Sequence, residues 1–386
     1  MKPVYLDCNA TAPLLPEARA EMLDVMAHAW ANPSSTHAPG QAARRVLVDA
    51  RVRIAAFVGA QASELVFTSG ATEANHAAVL GALAAARGSA RRRLLVSAVE
   101  HPGLLALADH LAAHGTPVQR LPVDRDGCID LDAAAALIGP DVALLSTMAA
   151  NNETGVQQPV AELAALAAAH GVPLHVDATQ ALARARLDFG ASGAQFMSLS
   201  AHKVGGPKGV GALLIRKGAA FEPLIRGRQE RQRRGGTENL PGIAGFAAAL
   251  QACAASADAD LAALRARRDR LEQGLVQGLP GVAVHGAAAD RLPNTSCLSF
   301  GALTAEEVLS RLERAGVIAS SGAACSAGGT QPSHVLLAMG LDADAARRGV
   351  RFSLGRDTTD EDIARALGAA QRALAPLLAP ACAEPA

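Results

Sequence analysis

The segment Ser200–Gly209 has the residue types needed for covalent chemistry with a carbonyl compound. Lys203 directly follows a predicted strand and precedes a turn rich in glycine and proline. A lysine at the edge of a sheet can form a Schiff base with a carbonyl cofactor, whereas an isolated lysine is usually a solvated loop residue. Asp177 ends another predicted strand, where its carboxylate could keep a pyridinium nitrogen protonated or cap a following helix. The two residues together favour the cofactor interpretation.

Other segments after predicted strands have residues for anion binding and proton transfer. Gly70–Glu73 begins a helix, so its free N–H groups and its dipole could hold an anion. The Thr72 hydroxyl would be a further donor there, or a simple helix cap. His101 precedes a proline and is either structural or placed to stack on a flat cofactor and move protons. Arg351 alternates with apolar residues and could clamp a carboxylate or form a surface ion pair.

Cys325 is surrounded by small residues within the segment Ser320–Gly329. A packing cysteine usually has larger apolar neighbours. We therefore predict an exposed and mobile loop that presents a nucleophilic thiol. Thr237 follows a glycine pair and the charged run Gln229–Arg234. Such a run is usually just solvated, but the glycines favour a loop that approaches an anion closely, including one bound by a neighbouring subunit.

Short apolar segments alternate with alanine-rich segments before residue 251. The alternation predicts an α/β fold with a mostly parallel sheet and helices on both faces. Ligands of such folds bind at the carboxyl ends of the strands, which is where the polar segments lie. The predicted strands are Leu65–Thr68, Leu94–Ser97, Val142–Thr147, Leu174–Asp177, Phe196–Leu199 and Ala212–Ile215, and the clearest helices are Ala42–Val58 and Val160–His170.

The chain changes character after residue 251. A long charged helix, Leu261–Leu279, is followed by short strands that alternate with helices. This pattern predicts a second, smaller α+β domain. Its predicted strands are Thr295–Phe300, Val317–Ser320 and Val350–Leu354.

Composition argues against several functional classes. Basic and acidic residues number 36 each and aromatics make up 3%, which argues against a nucleic-acid partner. The six cysteines form no Cys-x-x-Cys pair, so a metal site built from neighbouring thiols is not expected. The opening MKPVYLDCNATAP lacks a signal-sequence pattern, and the longest apolar stretch is too short to span a bilayer. We therefore expect a cytoplasmic protein without membrane contact and without a resident metal.

Nine sequence blocks, in this order along the chain, resemble those of the pyridoxal-phosphate-dependent cysteine desulfurases. These enzymes belong to the class V aminotransferase group and have the aspartate-aminotransferase fold. The eleven residues from Cys325 to Val335 resemble the long loop of the housekeeping iron–sulfur and nitrogenase-maturation subgroup. The blocks are NPSSTHAPG (Asn32–Gly40), FTSGATEAN (Phe67–Asn75), EHP (Glu100–Pro102), NNETG (Asn151–Gly155), HVDATQ (His175–Gln180), SLSAHK (Ser198–Lys203), RRGGTEN (Arg233–Asn239), SSGAACSAG (Ser320–Gly328) and PSHVL (Pro332–Leu336).

The resemblance implies pyridoxal phosphate as cofactor and a catalytic role for three residues. Lys203 would bind the cofactor covalently and move the α-proton of the substrate. Cys325 would take the sulfur as a persulfide, and His101 would stack on the cofactor ring. Asp177 would pair with the pyridinium nitrogen and Gln180 with the phenolic oxygen.

The resemblance also implies the residues that bind the substrate and the phosphate. Asn152 and Arg351 would hold the substrate carboxylate, and Asn152 would also contact the cofactor. The phosphate ligands would be Ala71, Thr72, Ser200 and His202, together with Thr237 of the partner subunit. The active form would therefore be a homodimer.

The implied reaction converts L-cysteine to L-alanine and leaves the sulfur on Cys325. The persulfide would pass to a protein acceptor, such as a scaffold for iron–sulfur clusters, and Cys325 could contact such a cluster transiently. A large cofactor-binding domain would span residues 16–251. A small domain, formed by residues 1–15 and 252–386, would carry the loop of Cys325.

Other functions fit parts of the pattern. A related lyase or aminotransferase has the same fold, but transamination needs no protein thiol, so Cys325 argues against it. A lyase specific for selenocysteine stays open at this point. A non-catalytic scaffold with this fold would have no use for Lys203, Asp177, His101 and Cys325 together.

Overall fold

The computed structural model describes residues 2–255, 257–322 and 331–378. The strands are β1 (Val4–Tyr5), β2 (Leu65–Thr68), β3 (Arg93–Ser97), β4 (Val118–Leu121), β5 (Val142–Met148), β6 (Leu174–Asp177), β7 (Phe196–Ser200), β8 (Gly211–Ile215), β9 (Val282–His285), β10 (Thr295–Phe300), β11 (Val317–Ile318), β12 (Ser320–Ser321) and β13 (Val350–Ser353). The helices are α1 (Pro16–His28), α2 (Ala38–Phe57), α3 (Ala71–Ala85), α4 (Pro102–Ala113), α5 (Leu131–Leu137), α6 (Val160–Ala169), α7 (Leu240–Ala254), α8 (Ala257–Gly278), α9 (Ala305–Arg314), α10 (His334–Ala338), α11 (Ala343–Ala346) and α12 (Asp360–Leu378).

A seven-stranded sheet has the order β2-β8-β7-β6-β5-β3-β4. Every pairing between β7 and β4 is parallel, whereas β8 runs antiparallel to both β2 and β7. The predicted mostly parallel sheet is therefore confirmed. Because β8 is the only strand of this sheet that runs the other way, the carboxyl ends of β2, β3, β5, β6 and β7 share one edge. This edge receives the polar segments that follow those strands.

Helices cover both faces of this sheet. On β3, Leu95 packs into the core with α2, α6 and α7, while its neighbours Leu94 and Val96 pack into the core with α3 and α4. Side chains of a strand alternate between faces, so a strand covered on both sides is apolar throughout. This explains why β5 is completely buried and why its sequence shows no polar alternation.

A four-stranded antiparallel sheet has the order β12-β13-β10-β9 and packs with α8, α9 and α12 around a separate core. The prediction of one strand over Val317–Ser320 is wrong. Val317 and Ile318 pair with β1, whereas Ser320 pairs with β13 in the other sheet, because the chain changes sheets between them. The N-terminal segment thus contacts the C-terminal part, which supports the predicted domain division, but its boundaries stay a prediction.

Within the described ranges, no single helix is long and apolar enough to cross a membrane. The consecutive helices Leu240–Ala254 and Asp258–Gly278 meet that test only as a pair, and they are bent by 79° at the break between them.

Candidate active site

One cleft of about 580 Å³ lies at the carboxyl edge of the large sheet. The cleft brings together ten of the residues predicted to form the site. These are Ala71, Thr72, His101, Asn152, Asp177, Gln180, Ser200, His202, Lys203 and Arg351. Nine of them lie at or after the carboxyl ends of strands in the large sheet, as the strand-end rule predicts, whereas Arg351 comes from β13 of the smaller sheet.

Lys203 lies in the 3₁₀ turn Ala201–Lys203, directly after β7. Its Nζ donates to the backbone oxygens of Asn9 and Ala10, at 2.6 and 2.8 Å. The amine is therefore held in the cleft. The alternative interpretation, a lysine solvated in a loop, is wrong. The sequence analysis assigned no role to this N-terminal segment.

The carboxylate of Asp177 is buried and bound through both oxygens. Oδ1 accepts from the backbone N–H of Thr179 at 3.0 Å, and Oδ2 accepts from Nδ2 of Asn75 at 2.7 Å. No helix follows Asp177, since residues 179–184 form turns, so the helix-cap interpretation is wrong. Asn75 is a residue that the sequence analysis missed. It was visible in the block FTSGATEAN, but only the fold brings it against Asp177.

The first turn of α3 has the hydrogen-bond donors of an anion-binding site. The helix begins at Ala71, and Gly70 at its N-cap provides no side-chain hydrogen bond. Thr72 is thus inside the first turn and is not the cap, and the N–H groups of this turn have no intrahelical acceptor. Ser200 and His202 line the cleft beside this turn. Burial lowers the pKa of His202 to about 4, so its ring is neutral at pH 7.

His101 caps helix α4, because its Nδ1 accepts from the N–H of Gly103 at 3.1 Å. It also lines the cleft, so the structural and the functional interpretations both apply. Burial lowers the pKa of His101, and the positive charge of Lys203 lowers it further, although Asp177 acts in the opposite direction. The ring is therefore neutral at pH 7. Since Nδ1 accepts a hydrogen bond, the ring proton is on Nε2.

Arg351 is buried at the edge of the cleft and is not part of a surface ion pair. One amino group donates to Oδ1 of Asp7 at 2.7 Å, and the other donates to the backbone oxygen of Asn152 at 3.1 Å. Its Nε is buried and has no hydrogen-bond partner among the described residues. Because Arg351 also lines the cleft, its guanidinium suits a carboxylate ligand. Asp7 is a further residue that the sequence analysis left without a role.

Two buried glutamates connect the cleft to the segment that follows residue 330. Glu153 accepts from the Ser333 hydroxyl at 2.5 Å, and Nε2 of His334 hydrogen-bonds with the backbone oxygen of Glu100 at 2.9 Å. Burial raises the pKa of Glu100 well above its ordinary value. The chain on the carboxyl side of Cys325 is therefore anchored beside His101. Cys325 itself lies outside the described residues, so its position stays a prediction.

Thr237 is exposed and does not line the cleft of its own chain. The loop before it is held by two ion pairs, Arg234 with Glu73 on α3 and Arg51 with the buried Glu230. Three consecutive residues, Glu230 to Gln232, have positive φ angles of 47°, 55° and 65°. Such backbone is costly for residues other than glycine. The buried ion pair and a hydrogen bond from Phe67 to Glu230 stabilise it.

The sequence is similar to known enzymes along nearly its whole length. The profile of the family described as aminotransferase class V matches residues 4–366. A cysteine desulfurase of Cereibacter sphaeroides is 48% identical over 370 residues, which cover 95% of this chain and 94% of that protein. The cysteine desulfurase NifS of Azotobacter vinelandii is 41% identical over 369 residues, which cover 95% of this chain and 91% of that protein.

Solved structures agree with this similarity. A NifS-like protein has a TM-score of 0.90 and 31% identity, and the match covers 96% of this chain and 99% of that one. A structure described as SspA in complex with cysteine has a TM-score of 0.80 and 30% identity, and the match covers 92% of this chain and 99% of that one. From the profile match and the cleft at the carboxyl edge of its sheet, we conclude that the chain belongs to the aminotransferase class V family of pyridoxal-phosphate enzymes.

Proposed function

We propose that the protein is a cysteine desulfurase, which transfers the sulfur of L-cysteine to Cys325 and releases L-alanine. The observation that carries the proposal is the meeting of Lys203, Asp177, His101 and Arg351 in one cleft. Relatives named cysteine desulfurase, which are 41–48% identical over most of the chain, support the reaction. The solved relative described as bound to cysteine supports the substrate.

The residues of the cleft fit pyridoxal phosphate by the chemistry of their donors. The uncapped first turn of α3 and the side chains of Thr72, Ser200 and His202 offer donors for a phosphate. The buried carboxylate of Asp177 fits a protonated pyridine nitrogen. The Lys203 amine fits the aldehyde. When bound, this cofactor supplies an electron sink for the carbon next to the substrate amine.

Lys203 is placed to move the α-proton of the substrate at its Nζ atom. The backbone oxygens of Asn9 and Ala10 already accept from Nζ, so they stabilise the protonated amine after it has taken the proton. Arg351 and Asn152 both line the cleft, where the guanidinium and the side-chain amide would hold the substrate carboxylate. His101 covers the ring and carries an exchangeable proton at Nε2.

Cys325 supplies the nucleophile for the sulfur. Its thiolate attacks the sulfur of cysteine, a new S–S bond forms, and the C–S bond breaks with its electron pair left on carbon. Protonation of that carbon and return of the α-proton from Lys203 complete alanine, and the sulfur stays on Cys325 as a persulfide. The persulfide then passes to a thiol of an acceptor protein. The relative named NifS supports an acceptor of the iron–sulfur assembly type.

The proposal includes a homodimer in a reducing compartment. Thr237 is exposed on a loop fixed to α3, so it is available to a second copy of the chain and not to its own cleft. A symmetric dimer would complete both sites at once. Cys8, Cys128, Cys253 and Cys297 are free thiols, which is typical of cytoplasmic proteins.

The first test of the function is the product. Purified protein loaded with pyridoxal phosphate and given L-cysteine and a reducing thiol should release L-alanine and sulfide in equal amounts. Chromatography of the amino acids and a colorimetric sulfide assay measure the two. Release of pyruvate in place of alanine would contradict the proposal, because it would show elimination rather than transfer of the sulfur.

Hybrid dimers test the shared site, with alanine release as the assay. A dimer of one Lys203→Ala chain and one Thr237→Asp chain, purified through a different tag on each chain, keeps one site that has both Lys203 and the partner subunit's Thr237. We expect about half of the wild-type activity, since one of two sites is intact.

The reciprocal hybrid is the matched control. A wild-type chain paired with a chain that carries both substitutions has no intact site if Thr237 serves the partner, so this dimer should be inactive. If Thr237 serves its own chain, the two results exchange: the first hybrid is inactive and the second is half active. That exchange would overturn the shared site.

A further inference from the structure

Arg184 is a buried arginine behind the cleft, and no carboxylate pairs with it among the residues that the structure describes. The residue is 8% exposed, and the ionisable groups near it include the thiols of Cys8 and Cys253, the guanidinium of Arg351 and the imidazole of His202. Burial lowers its pKa to about 10, so it is still a cation at neutral pH. Burial of a cation without a carboxylate partner costs folding free energy. We therefore expect the hydrogen bonds of Arg184 to have a function.

The hydrogen bonds of Arg184 connect three segments that form the back of the cleft. It donates to the backbone oxygen of Lys203 at 2.8 Å and to the side-chain oxygen of Gln180 at 2.5 Å. A longer bond of 3.4 Å reaches the backbone oxygen of Cys8. Lys203 and Gln180 line the cleft, whereas Arg184 lies outside it and lines the neighbouring cavity of about 270 Å³.

These bonds determine which end of the Gln180 amide faces which neighbour. A guanidinium has donors only, so the atom of Gln180 that faces Arg184 must be the oxygen Oε1. Nε2 then faces the other way, where one of its two N–H groups donates to the backbone oxygen of Asn9 at 3.1 Å. The second N–H is left for the cleft. Without a donor at position 184, only the Asn9 oxygen would favour this orientation, and the amide could turn over more readily and present its oxygen to the cleft.

We propose that Arg184 is a positioning residue that holds Gln180 with an N–H toward the phenolic oxygen of the cofactor. The inference rests on the proposed function, because it takes Gln180 as the group that meets that oxygen. An N–H donor stabilises the negative charge of the oxygen. An amide turned over would set an acceptor against the same charge, so the orientation decides between attraction and repulsion.

The orientation has a spectroscopic consequence. The phenolic oxygen also attracts the proton on the nitrogen that joins Lys203 to the cofactor. A donor from Gln180 competes for the oxygen and thereby weakens the hold on that proton, which lowers the pKa of the nitrogen. Loss of the donor should therefore raise this pKa. The visible absorbance of the lysine-bound cofactor changes with this proton, so a pH titration of the absorbance reports it without turnover.

The test titrates the absorbance of Arg184→Met, of Gln180→Leu and of the double variant. We expect each single variant to raise the midpoint by about one pH unit, a tenfold change in the protonation equilibrium. The double variant should match Gln180→Leu, because Arg184 acts through Gln180. Arg184→Lys should stay within about 0.3 unit of the wild type, since an ammonium can still donate to Oε1. If Arg184→Met does not fold, Arg184→Gln takes its place. A glutamine there can face Gln180 with either end, so its midpoint should lie between those of Arg184→Lys and Gln180→Leu, and a midpoint equal to that of the wild type would overturn the inference.

Arg216→Met is the matched control. Arg216 also donates to backbone oxygens, those of Phe189, Gly190 and Ala194, but it follows β8 at the opposite edge of the sheet. Its loss should leave the midpoint unchanged, and a shift equal to that of Arg184→Met would overturn the inference. An unshifted Arg184→Met, or shifts that add in full in the double variant, would also overturn it. A different result would contradict the proposed function, namely a wild-type protein that has no visible band or releases no alanine.

Discussion

Replacement of Lys203 by alanine should remove the visible absorbance of the bound cofactor and reduce turnover at least about a thousandfold. The amine is the covalent attachment point and the atom that takes the α-proton, so the substitution removes two functions at once. The backbone oxygens of Asn9 and Ala10, which hold Nζ, cannot replace it, because an amide oxygen is too weak a base to take the α-proton and cannot form a Schiff base. The absorbance spectrum before and after borohydride measures the first effect, and alanine release measures the second.

Lys208 provides the control for this variant. It also lines the cleft, and its side chain is exposed after the same glycine-rich turn. Lys208→Ala should keep the visible band and its loss on borohydride reduction. If Lys208→Ala loses the band while Lys203→Ala keeps it, the attachment point has been misassigned.

Cys325→Ala should separate the two halves of the reaction. The variant should still bind the cofactor and change its spectrum on addition of L-cysteine, because Lys203, Asp177 and the first turn of α3 are untouched. It should release almost no alanine, since the C–S bond breaks only when a nucleophile accepts the sulfur. Rapid mixing with L-cysteine, followed by absorbance, gives the first result, and amino-acid analysis gives the second.

The described cysteines are poor substitutes for Cys325. Burial raises the pKa of Cys8 to about 11 and that of Cys297 to about 12, and it also raises the pKa values of Cys128 and Cys253. Because only the thiolate is a good nucleophile, these residues are unreactive at pH 7. Cys128→Ala should therefore release alanine at the wild-type rate. Normal alanine release by Cys325→Ala would contradict the proposed nucleophile.

The residues at the carboxyl edge of the sheet could be predicted because one rule relates the sequence pattern of a strand to the position of the residues that follow it. An apolar β-branched run predicts a strand, alternation with helices predicts parallel strands, and parallel strands end at one edge. Asp177 and Lys203 follow two such runs, so their meeting in the cleft needs no information about side-chain contacts. The positions of these residues did not reveal their roles, since an aspartate at a strand end is as compatible with a turn as with a cofactor.

Contacts made through the backbone could not be predicted. The oxygens of Asn9 and Ala10 hold Lys203, but a backbone oxygen has no residue type that marks it in a sequence. Arg184 was missed for the opposite reason, since arginine is usually exposed and its pattern in a turn predicts solvation. The break between β11 and β12 was missed because Val317–Ser320 reads as one continuous strand, and only the two different partners separate it.

The location of the transferred sulfur tests the central claim most directly. The wild-type protein is exposed briefly to L-cysteine without a reductant, the thiols are blocked, and the peptides are analysed by mass spectrometry. We expect one additional sulfur on the peptide that contains Cys325 and none there in Lys203→Ala, which cannot activate the substrate. Additional sulfur on Cys8, Cys128, Cys253, Cys297 or Cys382, with the Cys325 peptide unchanged, would contradict it.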